Sequence, residues 1–323
     1  MELGKDVEAL LHMRKLRGGS QPILVRANDG FFYVVKFLNN LQGPNVLFNE
    51  AVGTALFTLA GLPTPEWRPV YVTEEFIERN PSCWMETEDG RLKPQAGWCF
   101  GSRFLCTRNS GLFELLPQRS FIRISNRRDF WTVWVIDALC GHTDNRQTLF
   151  LQRKSMRLGA YFIDHGHLFG GAHGVDCPSF LASRYLDPRI YALASARDAD
   201  DIVNRIQSLD LAQLAKIVGG LPEEWVTEAG RLSFESFTSR ISDPILLRSA
   251  VNFILHIDLG AEGSHDRHLA RGNLRFERAA LHSQISAPGG DDRFDGGSRH
   301  PARAQGRRGP QAVRPLCSQA ANF

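Results

Sequence analysis

Residues 137–171 read DALCGHTDNRQTLFLQRKSMRLGAYFIDHGHLFGG. Two aspartates in this stretch sit where chemistry is done. Asp144 follows a hydrophobic, helix-like run and lies in the polar turn HTDNRQ. Asp164 follows the short apolar run AYFI, with Gly166 two residues on. TLFLQ and GAYFID read as two short strands flanking the basic connection RKSMRL, so the acids at the ends of this hairpin lie close in space. An acid in a loop, a hairpin, then an acid at a strand end suits phosphoryl transfer. The first acid handles the attacking hydroxyl, and the second holds magnesium on nucleotide phosphates. Each aspartate alone reads more readily as a turn residue capping backbone N–H groups.

Just upstream, RRDFWTVWVIDALCG is a helix, with Ser125 or Asn126 as its cap and Gly141 as its stop. After Phe130 it is apolar on nearly every side, which predicts burial. Farther upstream lie two strand-like runs, ILVRA at 23–27 and FFYVVKFL at 31–38, joined by Asn28-Asp29-Gly30, a strong hairpin signal. RGGSQP precedes them at 17–22, and residues 7–16 form a short amphipathic piece. Alternation puts Lys36 on the face of Phe32 and Val34, where a lysine breaks the local pattern. It reads either as an edge lysine facing solvent or as a functional base. The next helix, about 45–60, has Asn45 as its cap, a wide apolar stripe, and Gly61, Pro63 and Pro65 to end it. Glu50 lies among its apolar residues, either exposed beside the stripe or paired with Lys36. WRPVYVT and WCFGSRFL read as strands, TEEFIERN as a helix, and 80–97 as a surface loop.

Composition sets the limits. A chain of 323 residues can bury a sizeable core. Its apolar and charged fractions, 43% and 23%, are ordinary for a globular protein. A net charge of +3 is too small to argue for a nucleic-acid partner. The six cysteines form no CxxC pair and read as buried thiols in a reducing compartment. No apolar run approaches the roughly 20 residues that span a bilayer, and no signal peptide is evident. The expected location is the cytoplasm. Residues 178–258 read as helices, with Asp201, Asp210 and Pro222 as starts and Gly219-Gly220 as a stop. Residues 259–323 hold no lysine, many arginines and little periodicity, the composition of a disordered, solvated tail. That composition also reads as translation of a GC-rich gene in a shifted frame.

Taken in order, the parts have matching physical jobs. Backbone N–H groups of Gly18, Gly19 and Ser20 can approach phosphate oxygens without a side chain in the way. Lys36 can offset phosphate charge with Glu50 holding its ammonium. Asp144 can orient a hydroxyl, and Asp164 offers the hard oxygens that Mg²⁺ prefers.

The segments RGGSQPILV, DGFFYVVKF, LFNEAVGTALFTLAGLPTP, FGSRFL, VIDALCGHTDNRQTLF and AYFIDHGHLF together resemble the HipA-like kinases, over about 17–170. The resemblance implies an α+β, bilobal protein-kinase-like fold. A small β-rich nucleotide-binding lobe would span 1–105, a mostly helical catalytic lobe 106–258, and the tail 259–323. It implies ATP with Mg²⁺ and transfer to a serine or threonine hydroxyl. It also implies Lys36 as the ATP lysine, Glu50 as its partner, Asp144 as the catalytic acid/base and Asp164 as metal ligand. One position departs from the family pattern. Many members carry a metal-binding asparagine five residues past the catalytic aspartate, where this chain has Leu149. Gln147 or Asn145 would have to supply that oxygen. The departure keeps a nucleotide-binding pseudokinase open as an alternative, and a small-molecule kinase is a third reading. The longer toxin-type members carry an extra N-terminal subdomain with no counterpart here, so the resemblance gives no support to an antitoxin partner.

Overall fold

A computed structural model describes residues 6–105, 110–152, 157–172, 183–193 and 199–257. The chain opens with β1 (Val7–Lys15), β2 (Ile23–Ala27) and β3 (Phe32–Lys36), then α1 (Val46–Leu59). Next come β4 (Trp67–Val72), α2 (Glu74–Arg79), β5 (Met85–Thr87), β6 (Gly90–Leu92) and β7 (Gly97–Arg103). Strands β1, β2, β3, β7 and β4 close into a barrel. All its pairs are antiparallel except β1 with β4, which run parallel and complete the closure. Val25, Tyr33, Val35, Val70 and Cys99 fill the interior. The amphipathic piece at 7–16 is thus strand β1. The surface loop expected at 80–97 contains the β5–β6 hairpin, which pairs Met85 with Leu92.

After β8 (Gly111–Phe113) comes α3 (Asp129–Cys140), in which every residue from Phe130 to Cys140 is buried. Gly141 ends it in the left-handed conformation, as its sequence predicts. Neither Ser125 nor Asn126 caps it. Ser125 donates its hydroxyl to the Leu158 carbonyl, and the Asn126 amide both donates to the Ala160 carbonyl and accepts from its N–H. These two residues stitch the entry of α3 to the hairpin instead. That hairpin is β9 (Gln147–Gln152) with β10 (Leu158–Ile163), and β8 completes a three-stranded sheet. Its register pairs Gln147 with Ile163, so Gln147 stands beside Asp164.

Among the described residues five α-helices follow: α4 (Arg189–Leu193), α5 (Ala199–Gln207), α6 (Leu211–Val218), α7 (Glu228–Ser242) and α8 (Pro244–Leu255). Asp210 caps α6 by accepting from Gln213 N–H, and Gly219 ends it. Helix α5 begins at Ala199, so Asp201 lies in its first turn rather than at its cap. Cys83, Cys99 and Cys140 are free and buried. Among the described residues no helix is long and apolar enough to cross a membrane. The tail expected to be disordered, 259–323, lies outside the described residues.

Candidate active site

Lys36 ends β3, whose Tyr33 and Val35 point into the barrel, so its side chain emerges on the opposite face. There it meets α1. The ammonium donates to Glu50 Oε1 and, at 2.7 Å, to Asp164 Oδ1. Lys36 is only 8% exposed and Glu50 3%, which excludes both the edge-lysine and the exposed-glutamate readings. Burial alone would lower the Lys36 pKa, but the Asp164 and Glu50 carboxylates outweigh it and the pKa is raised. Burial would likewise raise Asp164. Lys36, with a weaker contribution from Glu50, instead holds its carboxyl well below the usual range. Burial lifts Glu50, for which Lys36 compensates incompletely with Asp164 also nearby.

Asp164 has φ 61°, left-handed for a residue with a side chain, although aspartate tolerates this better than most. Its neighbours hold it there. Arg146 donates to the Ile163 carbonyl at 2.7 Å, and Glu50 Oε1 accepts from Gly166 N–H at 3.1 Å. A Cβ at Gly166 would lie 3.0 Å from Val46 and 3.3 Å from Glu50 Oε1, so the glycine permits this approach. Asn49, fully buried beside Glu50, donates its amide to the carbonyls of Gly166 (2.9 Å), Leu168 (2.8 Å) and Gly171 (3.2 Å). Two consecutive residues of α1 therefore fix the loop that follows Asp164.

The Asp144 loop is anchored on both sides. Thr143 N–H donates to the His167 carbonyl at 3.0 Å. Arg146 is buried, forms a two-pronged ion pair with Asp137 of α3, and reaches His165 Nδ1 at 3.3 Å. Asp144 itself is partly exposed and accepts from Asn145 N–H at 2.7 Å. Gln147 donates its amide to Asp164 Oδ2. The fold thus joins Lys36, Glu50, Asp164 and Gln147 directly. It holds Asp144 between anchors on the Asp164 segment and leaves the Asn145 side chain exposed. Gly18, Gly19 and Ser20 form the β1–β2 turn, with Gly18 at φ 136°. Gly19 meets this assembly through Gln42, whose side-chain nitrogen a Gly19 Cβ would approach to 2.9 Å.

A family model described as HipA-like kinase matches residues 10–250. The chain belongs to the HipA-like kinase family. That match covers the barrel from within β1 onward, the Lys36 cluster and the helices into α8. No curated protein matches the chain. Among solved structures, the Helicobacter pylori proinflammatory kinase CtkA aligns over 76% of this chain and 98% of its own, at 14% identity and TM-score 0.52. That similarity shows a kinase-like fold. A Golgi casein kinase aligns over 77% of this chain and 73% of its own, at 12% identity and TM-score 0.47, too low to carry weight.

The sequence reading missed Asn49 and Arg146 as structural parts of this HipA-like site, while His142 is legible in the sequence as a loop-ordering histidine. His142 is buried, and its pKa lies well below the ordinary value because of burial and then Arg146. One signal was available for Arg146. Asp137 is the only charged residue from Phe130 to Cys140, and a charge in an all-round apolar helix requires a partner.

Proposed function

We propose that this chain is an ATP- and Mg²⁺-dependent kinase that transfers the γ-phosphoryl group to a hydroxyl acceptor. The observation that carries this reading is Lys36, buried and shared between Glu50 and Asp164. A lysine so held presents a fixed positive charge where nucleotide phosphates would lie. Glu50 orients that ammonium. Asp144, at the tip of a loop tied down at Thr143 and Arg146, accepts the hydroxyl hydrogen bond and aims its oxygen. Backbone N–H groups of Gly18, Gly19 and Ser20 cover phosphate oxygens. In this reading the barrel within 1–105 is the nucleotide lobe and the part from 106 to 258 is the catalytic lobe.

The donor set fits Mg²⁺ that arrives with its nucleotide. The Asp164 side chain is 21% exposed and its neighbour Gln147 carries an amide oxygen. Among the described residues no three His, Cys, Asp or Glu side chains form a metal cage. One carboxylate completed by phosphates and water is how Mg²⁺ is commonly held in kinases. Asp164 would be the ligand, with Gln147 or Asn145 supplying a further oxygen. Bound there, the ion would neutralise charge building on the phosphates.

A nucleotide-binding pseudokinase remains as a second reading, because Leu149 lies within β9 and offers no ligand atom. Incubation with γ-labelled ATP separates the two. A kinase labels itself or turns ATP over, and Asp144→Ala abolishes this. A pseudokinase binds ATP without turnover, and Asp144→Ala changes nothing.

A further inference from the structure

The loop between β3 and α1 reaches across to two other segments. Gln42 Nε2 lies 2.9 Å from His167 Nε2, on the loop after Asp164. The same Gln42 amide packs on Gly19, where a Cβ would come within 2.9 Å of its nitrogen and 3.3 Å of its Cδ. The Gln42 amide nitrogen only donates, so His167 Nε2 accepts in this bridge and its proton sits on Nδ1. Nδ1 faces Thr143 Oγ1 at 3.5 Å, one residue before Asp144. A chain of contacts therefore runs Gly19–Gln42–His167–Thr143, from the glycine turn to the loop carrying Asp144. It has no assigned role in the reading above.

The bridge is rich in donors. The Gln42 backbone N–H donates to Asn40 Oδ1 at 3.0 Å, which fixes that side chain's orientation. The Asn40 Nδ2 is then a buried donor without an acceptor among the described residues. Gln42 presents an amide N–H, and His167 lies on the loop three residues past Asp164. Donors gathered between a glycine turn and a hydroxyl-orienting loop suit an anionic oxygen. Hydrogen bonds to a charged phosphate are roughly twice as strong as the neutral amide–imidazole bond they would replace.

We propose that Gln42 and His167 are binding residues for the terminal phosphate of a nucleoside triphosphate: their mutual bridge opens, the Gln42 amide N–H donates to one oxygen, and the imidazole, its proton exchanged through solvent from Nδ1 to Nε2, donates to another. This rests on the kinase reading of the same site.

The test compares ATP and ADP binding, each with Mg²⁺, by calorimetry on the full chain as wild type, Gln42→Ala, Gln42→Glu and His167→Ala. A terminal-phosphate contact weakens ATP by about tenfold in either alanine variant and more in Gln42→Glu, while ADP changes by less than about twofold. Both side chains are partly exposed, and equal melting temperatures check that the fold survives. If wild type binds ATP but the variants lose ATP and ADP equally, or lose neither, the assignment to Gln42 and His167 is wrong and the kinase reading stands. If wild type binds neither nucleotide, both fall.

Discussion

Arg146 and Asp137 meet as a two-pronged ion pair buried beneath the Asp144 loop, with Nε to Oδ2 at 2.8 Å. The guanidinium continues to the Ile163 carbonyl and His165, so one side chain ties α3 to both acid-bearing segments. Removing one member leaves the other charged and dry. Arg146→Ala or Asp137→Ala should each cost about 3–5 kcal/mol of stability. The paired Asp137→Leu/Arg146→Met variant should recover much of this while losing activity, because its Ile163 and His165 contacts are gone. Urea unfolding alongside a kinase assay checks both halves.

Lys36→Met removes the charge set between Glu50 and Asp164. Loss of one such preorganised stabiliser should lower turnover by about 100- to 1000-fold. Glu50→Gln should cost less, since the amide can still accept from Gly166 N–H. Steady-state kinetics on both variants, with melting curves as control, gives the ranking.

Asn49→Ala should loosen the Asp164 loop without touching any reacting group. The carbonyls of Gly166 and Gly171 would lose their Asn49 donor, while that of Leu168 would keep the Gly171 N–H at 3.0 Å. An unsatisfied buried group costs about 1–3 kcal/mol. Hydrogen exchange should speed up in residues 164–171 ahead of the barrel strands.

Acid should destabilise the fold early. His142 and His165 are buried with pKa values well below the ordinary 6.5, through burial first and Arg146 second. For His165 the geometry agrees, because Arg146 donates to Nδ1 and leaves no room for a second proton there. Below about pH 6.5 the unfolded chain takes up protons that the native state refuses. Stability is therefore intact above that pH and falls as pH drops, by up to about 1.4 kcal/mol per pH unit for each histidine. Burial raises Asp137 to about 6, and Glu50 is also raised, so native proton uptake there offsets part of the loss at lower pH. Urea midpoints from pH 7.5 to 5.5 should decline, and His165→Gln should flatten the slope.

Local pattern carried the parts of this site that depend on short-range order. Alternation along β3 singled out Lys36, the apolar run of α1 framed Glu50, and the hairpin after α3 placed Asp164 at a strand end. Closure of the barrel by parallel β1 and β4 joins residues about sixty positions apart, and no periodicity announces it. Asn49 sat in an apolar stripe as an ordinary polar neighbour. Its role exists only because the loop 166–171 folds back onto α1. Gln42 lay in a loop with no signal at all, and it acquires meaning from Gly19 and His167, which chain order keeps far apart. Asp144 was legible as a loop acid, yet what steadies it, Arg146 on Asp137, depends on the burial of a charge pair.

The central claim is phosphoryl transfer by the Lys36–Asp164 site. The most direct test is mass spectrometry of lysate proteins and metabolites incubated with isotopically labelled ATP and purified protein, wild type against Asp164→Ala. The account predicts a labelled phosphoryl group on at least one hydroxyl-bearing protein or metabolite with wild type, reduced to background with Asp164→Ala. Label that is absent with wild type, or equal with the variant, would contradict it.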